Sequence, residues 1–291
     1  MTGPAGYLAD EGYIKLSSTP LHILCFLAPL ILLYEVGSAM YLAGPRPGAG
    51  GGAGAAGDGG GEGVHRTIEA HRLLSDFFEV FGLAGLFLPG IALVTVLIVW
   101  QVLLNQKWRV HLPVLVGMFV ESAGWTLPLV VMGAIHLRAA AEMWPGGGGS
   151  HLAGALSQMQ NGGAAGVGGG AGGEGGLETL TWQARLTISI GAGLYEEMLF
   201  RLVGITLLHF IFADLLRTPK NVADIISVAG AALAFALYHD TSLAGGGTNW
   251  PQFAFLLMAG GYLGTVYFIR GLGIVVATHA LYDALVLVML K

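Results

Sequence analysis

Long apolar stretches alternate along the chain with short polar or glycine-rich ones. A helix needs ~20 residues to cross a ~30 Å hydrocarbon core. Apolar stretches near 20–42, 83–104, 112–136, 183–212, 222–241, 252–270 and 272–290 therefore predict about seven spans. The stretch 183–212 reads as one tilted helix or a helix with a break, and Pro113 and Pro128 are placed to kink the third span, so seven or eight is the expected range. Over 64–80, Ile68, Leu73, Leu74, Phe77 and Phe78 alternate with charged residues in a helix-like pattern, which predicts an interfacial helix. The expected fold is an all-α, polytopic transmembrane helical bundle.

Composition agrees and excludes the alternatives. Of the 291 residues 54% are hydrophobic and only 11% charged, against ~25% charged in ordinary globular chains. Such a chain cannot cover a water-facing surface, which rules out a soluble enzyme. The net charge of -5 comes from scattered signs, and the 13 Lys and Arg form no dense basic run, so no nucleic-acid partner is expected. A single cysteine, Cys25, allows neither an intrachain disulfide nor a cysteine-based zinc site, and reads as an apolar packing residue.

Of the 48 glycines, 26 fall in two tracts, 44–63 and 146–176, which lack enough apolar side chains to bury and read as flexible loops. The resulting organisation is a polar N-terminus over 1–19, an N-terminal transmembrane region over 20–145 containing the loop 44–63, the glycine-rich loop 146–176, and a C-terminal membrane domain over 182–290. Asp10 and Glu11 precede the first apolar run where a signal peptide would carry a short basic segment, so the first span is expected to be retained. Lys15, Lys107, Arg109, Arg217, Lys220 and Arg270 fall on the side of the N-terminus, most in short loops, which places that side in the cytoplasm by the positive-inside rule. The expectation is an integral multi-pass protein, of the inner membrane if the source is bacterial, with Trp100, Trp108 and Trp250 near span ends as an interfacial belt.

Against this background each ionisable residue within a span needs a reason, since insertion costs ~2.5–3.5 kcal/mol at the helix centre. The C-terminal half holds Glu196, Glu197, Arg201, His209, His239, Asp240, His279 and Asp283, whereas the N-terminal half offers Glu35 and Glu121 at comparable depth. Glu197 and Arg201 are four apart on one helical face, in the favourable orientation for an ion pair. Glu196 is rotated ~100° away and left without that partner. His279 and Asp283 are also four apart, and His239 ends the fifth span. Two histidines and two carboxylates from three helices suit a divalent metal, zinc first among them, through Glu196, His239, His279 and Asp283. The same residues suit a metal-free site in which a carboxylate and an imidazole activate water. Glu35 and Glu121 read as helix–helix hydrogen bonds, His209 as interfacial, and Asp240 as a helix cap or a partner of His239.

The motifs Glu196-Glu197-Met198-Leu199-Phe200-Arg201, Phe235-Ala236-Leu237-Tyr238-His239 and His279-Ala280-Leu281-Tyr282-Asp283, in that order and each on its own span, resemble those of the CPBP intramembrane proteases, also called the Abi family. The resemblance covers about 182–290 and extends to the CAAX prenyl endopeptidases. It implies cleavage of a membrane-associated peptide or protein within the bilayer, with Glu196 activating water together with His239. His279 and Asp283 would orient the reacting carbonyl or complete a metal shell, and Glu197 and Arg201 would buttress the first glutamate. The eukaryotic CAAX enzymes carry Asn where this chain has Asp283, which weakens an oxyanion-donor role there and favours a cation-binding one. No His-Glu-x-x-His, Gly-x-Ser-Gly or Gly-x-Gly-Asp motif of rival intramembrane proteases occurs. The alternative is a non-proteolytic protein of the same fold, an ion-coupled transporter or a partner-binding scaffold, since intramembrane carboxylates and histidines also relay protons.

Overall fold

A computed structural model describes residues 12–42, 69–80, 88–143, 180–241 and 247–289. Both glycine-rich tracts and residues 1–11 lie outside the described residues. The described helices are α1 (Tyr13–Ser17), α2 (Pro20–Leu42), α3 (Glu69–Val80), α4 (Leu88–Leu103), α5 (Leu112–Met143), α6 (Trp182–Leu215), α7 (Lys220–Tyr238), α8 (Trp250–Arg270) and α9 (Leu272–Met289), and all but α1 and α3 follow apolar stretches of the chain. Six are long and apolar enough to cross a membrane: α2, α5 over Leu112–His136, and α6 to α9. The apolar part of α4, Pro89–Leu103, is shorter, and the first residues of that expected span lie outside the described ones. The protein is thus a polytopic helical membrane bundle. Of the segment 64–80, residues 64–68 lie outside the described ones and the rest forms the helix α3, which buries Ala70, His71 and Leu74 and exposes Leu73 and Phe77.

Local chemistry sets the ends of the helices that carry the candidate site. Thr181 caps α6 by accepting from the Ala184 N–H at 3.3 Å, and Asn249 caps α8 by accepting from the Gln252 N–H at 3.2 Å. Gly271 alone turns α8 into α9 at φ 82°, a left-handed conformation suited to glycine, so these two spans are antiparallel neighbours. Pro113 sits in the first turn of α5, where its missing N–H costs nothing, whereas Pro128 lies inside that helix.

The last span is the centre of the bundle. Two-thirds (67%) of α9 is buried within the protein, against 22–44% for the other spans, and it packs on α2, α5, α6 and α8. Small hydroxyl residues bring α5 close to it: Ser122 Oγ donates to the Ile274 carbonyl at 3.4 Å and Thr126 Oγ1 to the Thr278 carbonyl at 3.3 Å. At one end of α8, Arg270 pairs with Glu121 of α5 and donates to Ser17 Oγ of α1 at 3.0 Å, while Glu121 also accepts from Tyr13 Oη at 2.6 Å and Trp125 Nε1 at 3.1 Å. Burial and the Glu121 carboxylate push the Tyr13 phenol well above its ordinary pKa, which keeps it a donor. Glu121 is therefore the interhelical bond expected of it.

α6 is continuous rather than broken. It widens into π turns over Ala192–Glu196, Met198–Ile205 and Phe210–Leu215. Such turns are rare and concentrate at functional sites, and here the first one ends on Glu196.

Candidate active site

Three spans deliver the polar cluster. Glu196, Glu197 and Arg201 come from the widened part of α6, His239 from the first residue past α7, and His279 and Asp283 from the middle of α9. All six are at most 4% exposed. Every candidate the sequence placed at the site is thus in one buried cluster.

The pairings have a clear order. Glu197 Oε1 accepts from His279 Nδ1 at 2.7 Å, and its Oε2 pairs with Arg201 Nε at 3.0 Å. Arg201 continues outward, donating from Nη2 to the Gly260 carbonyl of α8 at 3.3 Å and resting its guanidinium 4.6 Å from the Phe235 ring centroid. Glu197 therefore buttresses His279 directly, a cross-helix bond that the expected Glu197–Arg201 pair did not include. His239 Nδ1 meets the Phe235 carbonyl at 2.7 Å. A carbonyl can only accept, so Nδ1 carries the proton and Nε2 keeps a lone pair. The orienting partner of His239 is thus backbone of its own helix.

Glu196 occupies the position between the imidazoles. Its Oε2 lies 3.8 Å from His239 Nε2 and 4.0 Å from His279 Nε2, and has no hydrogen-bond partner among the described residues. Asp283 Oδ2, 3.6 Å from His279 Nε2, is likewise without one. A buried carboxylate oxygen left this way is costly unless something polar reaches it. A cavity of about 30 Å³ lies beside the imidazoles, bounded by Phe235, His239, His279, Tyr282 and Asp283, with Gln252 of α8 in its wall. That is enough for a water or two and far too little for a peptide.

The same distances test the metal expectation. Ligands of a tetrahedral zinc with ~2.0–2.1 Å bonds stand ~3.3 Å apart. The oxygen and nitrogen atoms here are 3.6–4.0 Å apart, and no group of three His, Cys, Asp or Glu among the described residues is arranged to hold a metal ion. The donor types suit zinc; their arrangement does not.

Residues 178–285 match the family model described as type II CAAX prenyl endopeptidase Rce1-like. This segment is similar to the CAAX-protease (CPBP) family. The match takes in α6, α7, α8 and most of α9, and with them all three motifs of the CAAX-protease domain. No curated protein and no solved structure matches the chain.

Two further features hold the Glu196 segment in place, and neither the Tyr195–Glu35 pairing nor the close approach at Gly193 carried a signal in the sequence. Tyr195 Oη donates to Glu35 of α2 at 2.8 Å, anchoring the residue before Glu196 to the N-terminal region. Glu35 is thus also an interhelical bond. Gly193 sits where α6 approaches α9 most closely: a Cβ there would stand 2.7 Å from the Val276 carbonyl oxygen and 2.7 Å from the Ala280 Cβ. Neither neighbour can move without moving α9. Gly193→Ala is expected to destabilise the protein by ~1–3 kcal/mol and to lower activity more than tenfold by separating Glu196 and Glu197 from His279. A thermal melt and a cleavage assay check it; unchanged stability and activity would show that the close approach is dispensable. Elsewhere, His209 pairs with Asp224 of α7 at 3.0 Å, away from the cluster.

Proposed function

We propose that the chain is an intramembrane endopeptidase that hydrolyses a peptide bond of a membrane-associated substrate with water activated by Glu196 and His239. The observation that carries this is the buried Glu196 Oε2, without a hydrogen-bond partner among the described residues and faced by two imidazole nitrogens at 3.8 and 4.0 Å. A water ~2.8 Å from both the carboxylate and His239 Nε2 is compatible with that separation. Glu196 takes one proton of this water and the hydroxide attacks the scissile carbonyl carbon. The oxyanion forms on the side of His279, whose ring Glu197 orients. Glu196 then returns its proton to the leaving amine as the C–N bond breaks. Asp283 is an acceptor when ionised, so hydrogen-bond donation to the oxyanion falls to His279 as the imidazolium, donating from Nε2 while its Nδ1 donates to Glu197.

The cavity admits water but no polypeptide, so substrate entry requires the α8 wall carrying Gln252, Phe255 and Leu256 to move away from α9. The family match makes a prenylated C-terminal peptide the first substrate to test.

Purified protein in bilayers is expected to cleave a farnesylated CAAX peptide or an unmodified membrane-anchored peptide, at a rate unaffected by chelators and with well under one zinc per chain by elemental analysis. Cleavage of neither peptide would overturn the peptidase reading. Stoichiometric metal together with chelator sensitivity would replace the Glu196–His239 water with a metal-bound one.

A further inference from the structure

A second polar cavity lies at the other end of the bundle. α8 runs from Gln252, in the wall of the candidate site, to Arg270, bonded to Ser17 of α1. The eighteen steps along the helix from one to the other, at 1.5 Å each, separate the two ends by ~27 Å. Beside α1 is a cavity of about 270 Å³ bordered by Lys15, Lys107 and Arg109, by His22 and His111, and by Thr19, with no carboxylate among the described residues of its lining. Its size is at the lower end of ligand pockets, ~300–1,000 Å³.

The cavity is held by buried polar side chains. Gln101, 1% exposed, accepts from the Leu21 N–H at 3.1 Å and donates to the Gln106 carbonyl at 3.2 Å, pinning the α4–α5 connection that carries Lys107 and Arg109 to the first turn of α2. His22, 2% exposed, accepts on Nε2 from the His111 N–H at 3.3 Å. Its Nδ1 then donates to Thr19 Oγ1 at 2.6 Å, and Thr19 donates to the Leu16 carbonyl at 2.8 Å. The His22 and His111 rings stack with centroids 5.6 Å apart. Three cations from two separate segments thus border one space.

The rim has the opposite character. Leu103, Trp108, Val110 and Leu112 are exposed apolar side chains, interleaved in the chain with Lys107 and Arg109. They sit at the ends of membrane helices, at the depth where Trp marks the interface. A basic cavity with an apolar rim at a bilayer surface fits an amphiphile whose charged part is an anion. We propose that this cavity binds the phosphate of an anionic lipid headgroup, with Lys15, Lys107 and Arg109 around the phosphate and the apolar rim against the glycerol and first methylenes. A free phosphate ion would use the cations but not the rim.

Native mass spectrometry of the full chain, titrated with phosphatidylglycerol or phosphatidylcholine of identical acyl chains, tests this independently of any peptidase activity. Wild type is expected to bind phosphatidylglycerol at least tenfold more tightly. The Lys107→Gln/Arg109→Gln variant should weaken phosphatidylglycerol binding on the order of thirtyfold and leave phosphatidylcholine unchanged. Arg217→Gln/Lys220→Gln, which removes two exposed cations at the α6–α7 turn outside the cavity, should keep the preference. Equal affinity for the two lipids, or equal losses in the two variants, would overturn the proposal. Inorganic phosphate binding as tightly as phosphatidylglycerol would also overturn it and assign the cavity to a free anion. Should the double variant fail to fold, Lys15→Gln alone is read in the same titration, with about a fivefold loss expected and no loss counting against the proposal.

Discussion

Replacing Glu196 by glutamine is expected to lower cleavage by ~10²–10⁴-fold or to below detection while leaving the fold intact. The substitution keeps the side chain's shape and removes only its ability to take a proton. Its structural cost is small because Oε2 has no hydrogen-bond partner to lose among the described residues. An amide there can still meet the two imidazole nitrogens. His239→Ala is expected to abolish cleavage as well, but with some destabilisation, since it also removes the Nδ1 bond to the Phe235 carbonyl and a buried ring against Phe235. The pair of variants therefore separates chemistry from packing: Glu196→Gln should melt within a few degrees of wild type with its activity gone. Full activity in Glu196→Gln would remove the role assigned to Glu196. The same variant discriminates the scaffold reading, because a surface that only holds a partner does not need an ionisable base.

These residues are legible in the sequence because charge is so scarce along the chain. An apolar window of twenty residues is visible by composition alone, and within it Glu196, His239, His279 and Asp283 stand out because each is expensive in a bilayer. Pairing partners four residues apart, such as Glu197 with Arg201, follow from helical period. What period cannot supply is a bond between distant segments. Glu197 with His279 joins positions 82 apart, Tyr195 with Glu35 joins positions 160 apart, and Glu121 with Arg270 joins positions 149 apart. Each depends on how the spans pack. The π turns of α6 are equally hidden, since the apolar pattern fits a plain helix. The basic cavity is a similar case. Lys15 and the Lys107–Arg109 pair lie about ninety residues apart and form no dense run in the sequence, yet folding gathers them around one space. Charge that is scattered along the chain is, at that end of the bundle, concentrated.

Arg201→Ala is expected to destabilise the protein by ~3–5 kcal/mol, the range for stripping one partner from a buried ion pair, and thereby to remove most of the folded protein. Three losses combine at this residue. Glu197, fully buried, keeps only His279 as a partner; the Gly260 carbonyl of α8 loses its donor; and the Phe235 ring loses the guanidinium resting on it. The last two tie α6 to α8 and α7, so the effect reaches the helices that frame the site. Arg201→Lys keeps the charge but not the planar fork that serves Glu197 and Gly260 together, so a smaller loss is expected. The decisive comparison is Glu197→Gln/Arg201→Met, which leaves no charge unpaired and should unfold less readily than Arg201→Ala although it changes one residue more. In that double variant the Glu197 carboxylate no longer fixes His279, so activity should stay low even where the fold is recovered. Unfolding titrations in mixed micelles measure the order of stabilities, and cleavage assays on the folded fraction measure the rest. If Arg201→Ala were as stable as wild type, the ion pair would not be what holds these three helices together; if the double variant were fully active, Glu197 would not be what positions His279.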